Sequence, residues 1–301
     1  MTDLLTSLDF HEPRLEDAGW MAPLLRASGN RACEYSFTTI YMWRRYYENQ
    51  VARVGEQLFL RSGSGASATY LLPVGGDLRE GIALLLGHCR QEGMPLRLYG
   101  AERADLDKLS AWFPGRFAYE PSPGDFDYIY RQEDLALLPG KKYHSKRGHV
   151  AGFSKQYGWT YETIGDANAG EAADMATEWC KGKGNCADKG LRSEHCAIRE
   201  ALRHREELSL RGGLLRVDGK VVAFTLGSPI NDEVFDIHVE KALPAYRGAY
   251  AVINQQFAAR ELGAYPLLNR ENDLNIEGLR KAKQSYHPFQ VLEKYVCTEI
   301  V

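Results

Sequence analysis

Apolar and polar positions along the chain fall into two successions of the same order. In the first, helical spacing over about 16–27 and 37–48 precedes the short strands VARVG and QLFLRS, then ATYLLPV, a helix over 77–92 and PLRLYG. In the second, helical stretches near 170–182 and 195–206 precede GGLLRV-DG-KVVAFTLGS, whose Asp218-Gly219 suits a tight hairpin turn. The strand EVFDIHVEK, a helix over about 248–262 and the strand YPLLNR complete the set. Helix pair, antiparallel hairpin, strand, helix and strand is an α+β order with helices on both faces of a sheet. Its recurrence predicts a duplicated domain. Pro139-Gly140 punctuates the chain after the aromatic strand FDYIYR, so the predicted domains cover 1–135 and 136–301, the second carrying the active site.

Composition fits this division. The 301 residues suit two domains of about 150 better than one, since single cores stop growing near ~250 residues. Hydrophobic content of 44% and charged content of 26% describe a globular chain with enough apolar material for a core. A net charge of -3 gives no global attraction to nucleic acid or anionic membrane, so any such attraction must be local. The N-terminus MTDLLTSLDFHEPRLEDAGW lacks a basic segment followed by an apolar core, and no stretch offers 18 uncharged apolar residues. A cytoplasmic chain without a transmembrane segment is expected.

Six cysteines, Cys33, Cys89, Cys180, Cys186, Cys196 and Cys297, contain no CxxC pair, and reduced thiols are expected. Cys180, Cys186, His195 and Cys196 are near one another but have no closed tetrahedral spacing, so no metal is expected there.

Candidate chemistry gathers on the second half. Period-two alternation in EVFDIHVE sends Phe235, Ile237 and Val239 to one face and Asp236, His238 and Glu240 to the other. The next helix carries Ala249, Ile253 and Phe257 on one side, with Arg247 and Gly248 at a start that can hold an anion. On the strand after it, Asn269 and Glu271 share a face and can meet the titratable face of its neighbour; Arg270 and Asp273 extend this polar run. Asn275 is a cap for the last helix and Pro288 its stop, while Ile276, Leu279, Lys283 and Tyr286 fall on one inward side. A buried ammonium and phenol require partners, and the strand carboxylates are the available ones. The plain alternative is a structural ion-pair network.

Residues 141–155 form a basic amphipathic helix with five Lys or Arg, two His and no acid; Tyr143, Val150, Phe153 and Tyr157 make its apolar stripe. It reads as a solvated face, or as a surface for nucleic-acid, nucleotide or lipid phosphates.

The order of elements resembles the GNAT acyltransferase fold. KKYHSKRGHVAGF, HVEKALPAYRGAYAVINQQFA, NRENDLNIEGLRKAKQSYHP and, in the first half, EYSFTTIYMWR are similar to the C-terminal domain family of phosphatidylglycerol lysyltransferases, relatives of the FemABX peptidyltransferases. The resemblance covers nearly the whole chain. It implies two tandem GNAT-like domains, each a mixed, mostly antiparallel sheet flanked by helices. It also implies aminoacyl transfer from aminoacyl-tRNA to an amine or hydroxyl on a small-molecule or peptide acceptor, with no covalently bound cofactor. YRGAYA departs from the paired small residues that wrap the pyrophosphate of CoA.

With resemblance and residues together, Glu240, Asp236 or Glu271, with His238, would supply the base, and Asn269 and Asp273 complete the catalytic group. Backbone groups near Gly248, or Lys283, would face the oxyanion, with Tyr286 the acid. Lys142, Lys146, Arg147, Arg247, Arg270 and Arg280, with Gly248, would bind donor anions. Two alternatives stay open: an acyl-CoA N-acetyltransferase acting on a small amine, and a non-catalytic module binding tRNA or a nucleotide.

Overall fold

The computed structural model describes residues 8–182 and 189–301. They form two compact units, Met1–Asp127 with Asn272–Ile276 and Leu292–Val301, and Tyr128–Glu271 with Glu277–Val291.

The first unit contains α1 (Ala18–Ala27), α2 (Phe37–Met42), β1 (Gln50–Val54), β2 (Gln57–Ser62), β3 (Thr69–Leu71), α3 (Leu78–Gln91), β4 (Arg97–Ala101), α4 (Arg103–Trp112) and β5 (Phe117–Pro121). The second contains β6 (Asp127–Arg131), α5 (Gln132–Leu137), α6 (His144–Gln156), β7 (Trp159–Thr163), α7 (Ala169–Gly182), α8 (Lys189–Arg203), β8 (Arg211–Val217), β9 (Lys220–Pro229), β10 (Val234–Ala242), α9 (Ala249–Glu261), β11 (Leu267–Asn269), α10 (Glu277–Gln284) and β12 (Gln290–Leu292), except that the end residues Asp127 and Leu292 belong to the first. The last strand, β13 (Tyr295–Glu299), inserts between β4 and β5, giving the first sheet the order β1-β2-β3-β4-β13-β5. The second sheet runs β12-β6-β11-β10-β9-β8-β7.

The duplication is visible in pairing. Each unit has a parallel strand pair joined by a helix, β3–α3–β4 and β10–α9–β11, set among antiparallel pairs. Asp77 caps α3 by accepting from the Glu80 amide at 2.9 Å, and Ile82, Leu85, Leu86 and Cys89 bury its inner face. Asp218 and Gly219 both have positive φ, the conformation a two-residue hairpin requires. α9 is covered nearly all round, burying Val252, Ile253, Asn254, Phe257 and Ala258 among others.

Several expectations are corrected. The helix anticipated over 37–48 ends at Met42, and that anticipated from 195 begins at Lys189. In α10 the shared inward face does not form: Ile276 and Leu279 are 51% and 41% exposed. Leu274 and Asn275 have positive φ, so the helix starts only at Glu277, and it ends before Tyr286. Helical spacing therefore does not place Tyr286. Among the thiols Cys33, Cys89, Cys196 and Cys297 are free, but Cys180 is disulfide-bonded, against the expectation of reduced thiols. Pairing depends on approach in space that spacing does not reveal; Cys186 lies outside the described residues. Among the described residues no helix is long and apolar enough to cross a membrane.

Candidate active-site cleft

β10 and β11 pair only over Val234–Asp236 and Leu267–Asn269; past that point β11 stops while β10 continues to Ala242. At the same level β10 carries a β-bulge: Ile237 faces Gly227 and Val239 faces Leu226, which leaves His238 as the extra residue. Gly227 permits it, because a Cβ there would stand 2.2 Å from the Asp236 carbonyl oxygen.

The bulge overturns the expected alternation. Before it, Phe235 and Ile237 pack on Phe257 and Ala258 of α9; after it, Glu240 and Ala242 are the residues that meet α9. Asp236 and Glu240 therefore lie on different faces. An inserted residue changes strand parity, and composition carries no sign of it.

His238 is fully buried. Its Nε2 is 2.8 Å from Ser228 Oγ, and its Nδ1 is 3.1 Å from Glu271 Oε1 and 3.4 Å from Asp236 Oδ2. Burial works to lower the imidazole pKa, but the Asp236 and Glu271 carboxylates outweigh it and hold it up at about 9. The ring is an imidazolium at neutral pH. Glu271, at 21% side-chain exposure, is the accessible member of this trio.

On the α9 side of β10, Glu240 Oε2 accepts from Asn254 Nδ2 at 3.0 Å and Oε1 accepts from Arg270 Nη2 at 3.1 Å. Asn254 Oδ1 and Arg270 Nη1 are buried without hydrogen-bond partners. Burial opposes the Arg270 charge, yet Glu240 and the nearby tyrosines hold its pKa above the usual value. Arg270 stands 4.7 Å from the Tyr286 ring centroid, and Lys146 Nζ stands 3.7 Å from the same centroid. Lys146 also donates to Ser285 Oγ at 2.6 Å. Burial, then Arg270, brings its pKa down to about 8. Burial pushes the Tyr286 phenol above the ordinary tyrosine range.

The polar run after LLN has a local explanation. Asn269 Oδ1 accepts from the Glu271 amide at 2.7 Å, and Glu271 takes a positive φ that turns its side chain back to His238. Lys283 Nζ donates to the backbone carbonyls of Arg270 and Glu271. Asp273 belongs to the first unit, where it is buried and its Oδ1 accepts from the Asn275 amide at 2.8 Å.

Other anticipated anion ligands are dispersed. Lys142 pairs with Asp134 at 3.3 Å, and Arg147 donates to the Leu138 and Gly140 carbonyls. Arg247 is exposed and Arg280 half-buried. Gly248 starts α9 with φ +97°, and a Cβ there would lie 2.8 Å from the His149 carbonyl oxygen of α6. Close packing accounts for that glycine.

Ser228 and Asn254 were not singled out by pattern, although Asn254 is a polar residue in an apolar helix. A cluster in the first unit also escaped. Lys294, 1% exposed, lies 2.6 Å from Glu34 and 2.9 Å from Asp127, whose Oδ2 accepts from the Cys33 amide at 2.8 Å. Asp127 within an aromatic strand was its one sequence signal. Two trios, Cys33–Glu34–Asp127 and Asp236–His238–Glu271, bring potential metal ligands within 4.8 Å of one another. A resident cation serves each: Lys294 in the first, protonated His238 in the second.

The two sheets and their helix-joined parallel pairs define a tandem GNAT-like protein. The chain belongs to the phosphatidylglycerol lysyltransferase C-terminal family, whose model matches residues 25–298. It is similar to a conserved protein of unknown function from Bacteroides thetaiotaomicron VPI-5482, at 38% identity over 98% of this chain and 100% of that one, with a TM-score of 0.93. The L-PGS structure from Bacillus licheniformis matches at 17% identity over 95% of this chain and 92% of that one, with a TM-score of 0.67, a likeness of fold. An uncharacterised Mycoplasmoides gallisepticum protein is 20% identical over 58% of this chain; the match spans 56% of that relative's length.

Proposed function

We propose that the protein moves an aminoacyl group from aminoacyl-tRNA onto an amine or hydroxyl acceptor by direct attack. The observation that carries this reading is the pair of partnerless buried groups around Glu240, an acceptor on Asn254 and a donor on Arg270. An aminoacyl ester presents the complementary pair: an ammonium to donate to Asn254 and Glu240, and a carbonyl to accept from Arg270. An acetyl group lacks the ammonium and leaves Asn254 unmet, so the aminoacyl donor is favoured over acetyl-CoA.

In the proposed step the acceptor nitrogen or oxygen attacks the ester carbonyl carbon and Glu271 takes its proton. The oxyanion faces Arg270 Nη1. The bond from carbon to the ribose oxygen then breaks, and that oxygen receives the proton from Glu271. His238 keeps the Glu271 carboxylate oriented. Lys146 and Arg247 are available to donor phosphates. The donor and acceptor are co-substrates in this scheme.

The test offers purified protein a pool of tRNA charged with labelled amino acids, with amine acceptors, and acetyl-CoA in parallel. Expected are transfer from charged tRNA, poor use of N-acetylaminoacyl-tRNA, and a loss of roughly 100- to 1,000-fold in Arg270→Met. Acetyl-CoA consumption without loss of label from tRNA would sink the reading. Binding of tRNA without turnover would replace it with the non-catalytic module.

A further inference from the structure

We propose that the second unit carries a docking surface for an anionic lipid membrane, formed by the exposed side chains of Leu137, Phe289 and Val291 in a basic surround. The three are 70%, 49% and 41% exposed. Phe289 precedes and Val291 lies within β12, the edge strand of the second sheet, and Gln290 between them is half-buried. The Arg131 guanidinium carbon stands 4.5 Å from the Phe289 ring centroid. Arg131 leads directly into α5, a helix of 6 residues, roughly 9 Å long, whose last residue is Leu137.

Single exposed apolar residues are ordinary, and the surroundings set these apart. From Leu135 to Tyr161 the chain has no acidic residue and five Lys or Arg, in a protein of net charge -3. Lys141, Lys142 and Arg147 are exposed. Arg147 donates to the Leu138 and Gly140 carbonyls, which fixes the turn that presents Leu137. His287 Nε2 lies 3.1 Å from the Lys142 carbonyl oxygen and its ring centroid 5.5 Å from that of Tyr143, so the segment before Phe289 is tied to the basic start of α6. The acids of α5 are Glu133 and Asp134, the second already paired with Lys142 at 3.3 Å. The balance around the apolar side chains is positive.

This mixture fits the boundary of an anionic bilayer. Leucine, valine and phenylalanine enter among the headgroups, while the flanking ammonium and guanidinium groups stay level with the lipid phosphates and carboxylates. An RNA would meet the cations but leave Leu137 and Val291 uncovered, because aliphatic side chains offer no face on which a base can stack. A second copy of this chain, placed by a two-fold axis, would set cation against cation. Three apolar side chains with a few charges give reversible docking, far weaker than insertion of a spanning helix. The surface needs neither donor nor acceptor, so it stands apart from the transfer reading.

The experiment sediments the full chain with vesicles of phosphatidylcholine alone and of equimolar phosphatidylcholine and phosphatidylserine, at low and moderate salt and without any co-substrate. Saturable binding to the anionic vesicles that weakens with salt is expected, with little binding to the neutral ones. Lys141→Gln and Arg131→Gln should each lower the partition coefficient by roughly fivefold. Leu137→Gln and Phe289→Gln, at exposed positions that tolerate a polar side chain, should each lower it by roughly tenfold with the melting temperature unchanged. No binding to either vesicle, equal binding to both, or full binding in Leu137→Gln and Phe289→Gln would overturn the surface. Uncharged tRNA is offered in parallel: if it binds, weakens in Lys141→Gln and is indifferent to the two apolar variants while vesicles do not bind, the surface belongs to RNA. No transfer is measured, so failure here leaves the transfer reading untouched.

Discussion

Asn254 in α9 donates its Nδ2–H to Glu240 Oε2 at 3.0 Å, across a strand whose simple alternation would turn Glu240 the other way. The contact exists because His238 is inserted as a bulge between Ile237 and Val239. One added residue thus delivers Glu240 to α9 while Asp236 stays with Ser228 and His238.

The bulge depends on Gly227, and Gly227→Ala tests it. An added methyl would meet the Asp236 carbonyl at 2.2 Å, and a backbone atom cannot swing aside as a side-chain tip can. The expected outcome is a loss of about 1–3 kcal/mol in denaturant unfolding, as for other overpacked sites. A double-mutant cycle between Glu240→Gln and Asn254→Ala should show coupling in the parent and little in Gly227→Ala. Undiminished coupling would mean that the glycine does not set the bulge.

His238 gives stability a defined pH dependence. Its folded pKa, about 9, lies above the unfolded value of 6.5, so the folded state binds the proton more tightly. Its contribution is fully present below pH 6.5 and is lost as pH rises through about 9. Urea unfolding across that window should show the loss, and His238→Gln should remove it from the difference curve. Equal slopes in the two proteins would refute the imidazolium trio.

Much of the fold was legible because its signals are local. Asp218-Gly219 announces a hairpin, and the apolar runs of β8, β9 and β10 announce strands whatever their partners. The tandem order survives because helix and strand periods differ. The site was legible only in its ingredients. His238, Glu271, Glu240 and Arg270 stand out as charges in apolar surroundings, but their grouping depends on a bulge and on Glu271 adopting a positive φ. Lys294 was invisible for a different reason: its carboxylate partners are Glu34 and Asp127, the first 260 residues away along the chain, and only the course of the final strand joins them.

Lys146 should be an unusually reactive amine. Burial and the Arg270 charge lower its pKa to about 8, so a sizeable neutral fraction exists at mildly alkaline pH while exposed lysines remain protonated. Brief treatment with an amine-acylating reagent, read by peptide mass spectrometry, should give a modification rate with a midpoint near 8 at Lys146. Arg270→Met should move that midpoint upward by removing the second-largest cause. A midpoint near 10.5 in the parent would contradict the crowded cation pair.

Lys294 tests whether the first unit depends on its buried charges. The ammonium lies between Glu34 and Asp127, and although burial opposes its charge, the two carboxylates and Cys33 hold its pKa well above the usual range. Glu34 responds differently: burial raises its pKa despite Lys294. Removing the cation leaves two carboxylates facing each other in a dry site, so Lys294→Ala should cost about 3–5 kcal/mol. Lys294→Met combined with Glu34→Gln and Asp127→Asn removes the charges together and should recover much of that loss. If the single substitution costs under about 1 kcal/mol, as an exposed pair would, the trio does not support the fold. If the triple variant is no better than the single one, the cost lies in packing around the lysine stem and not in its charge.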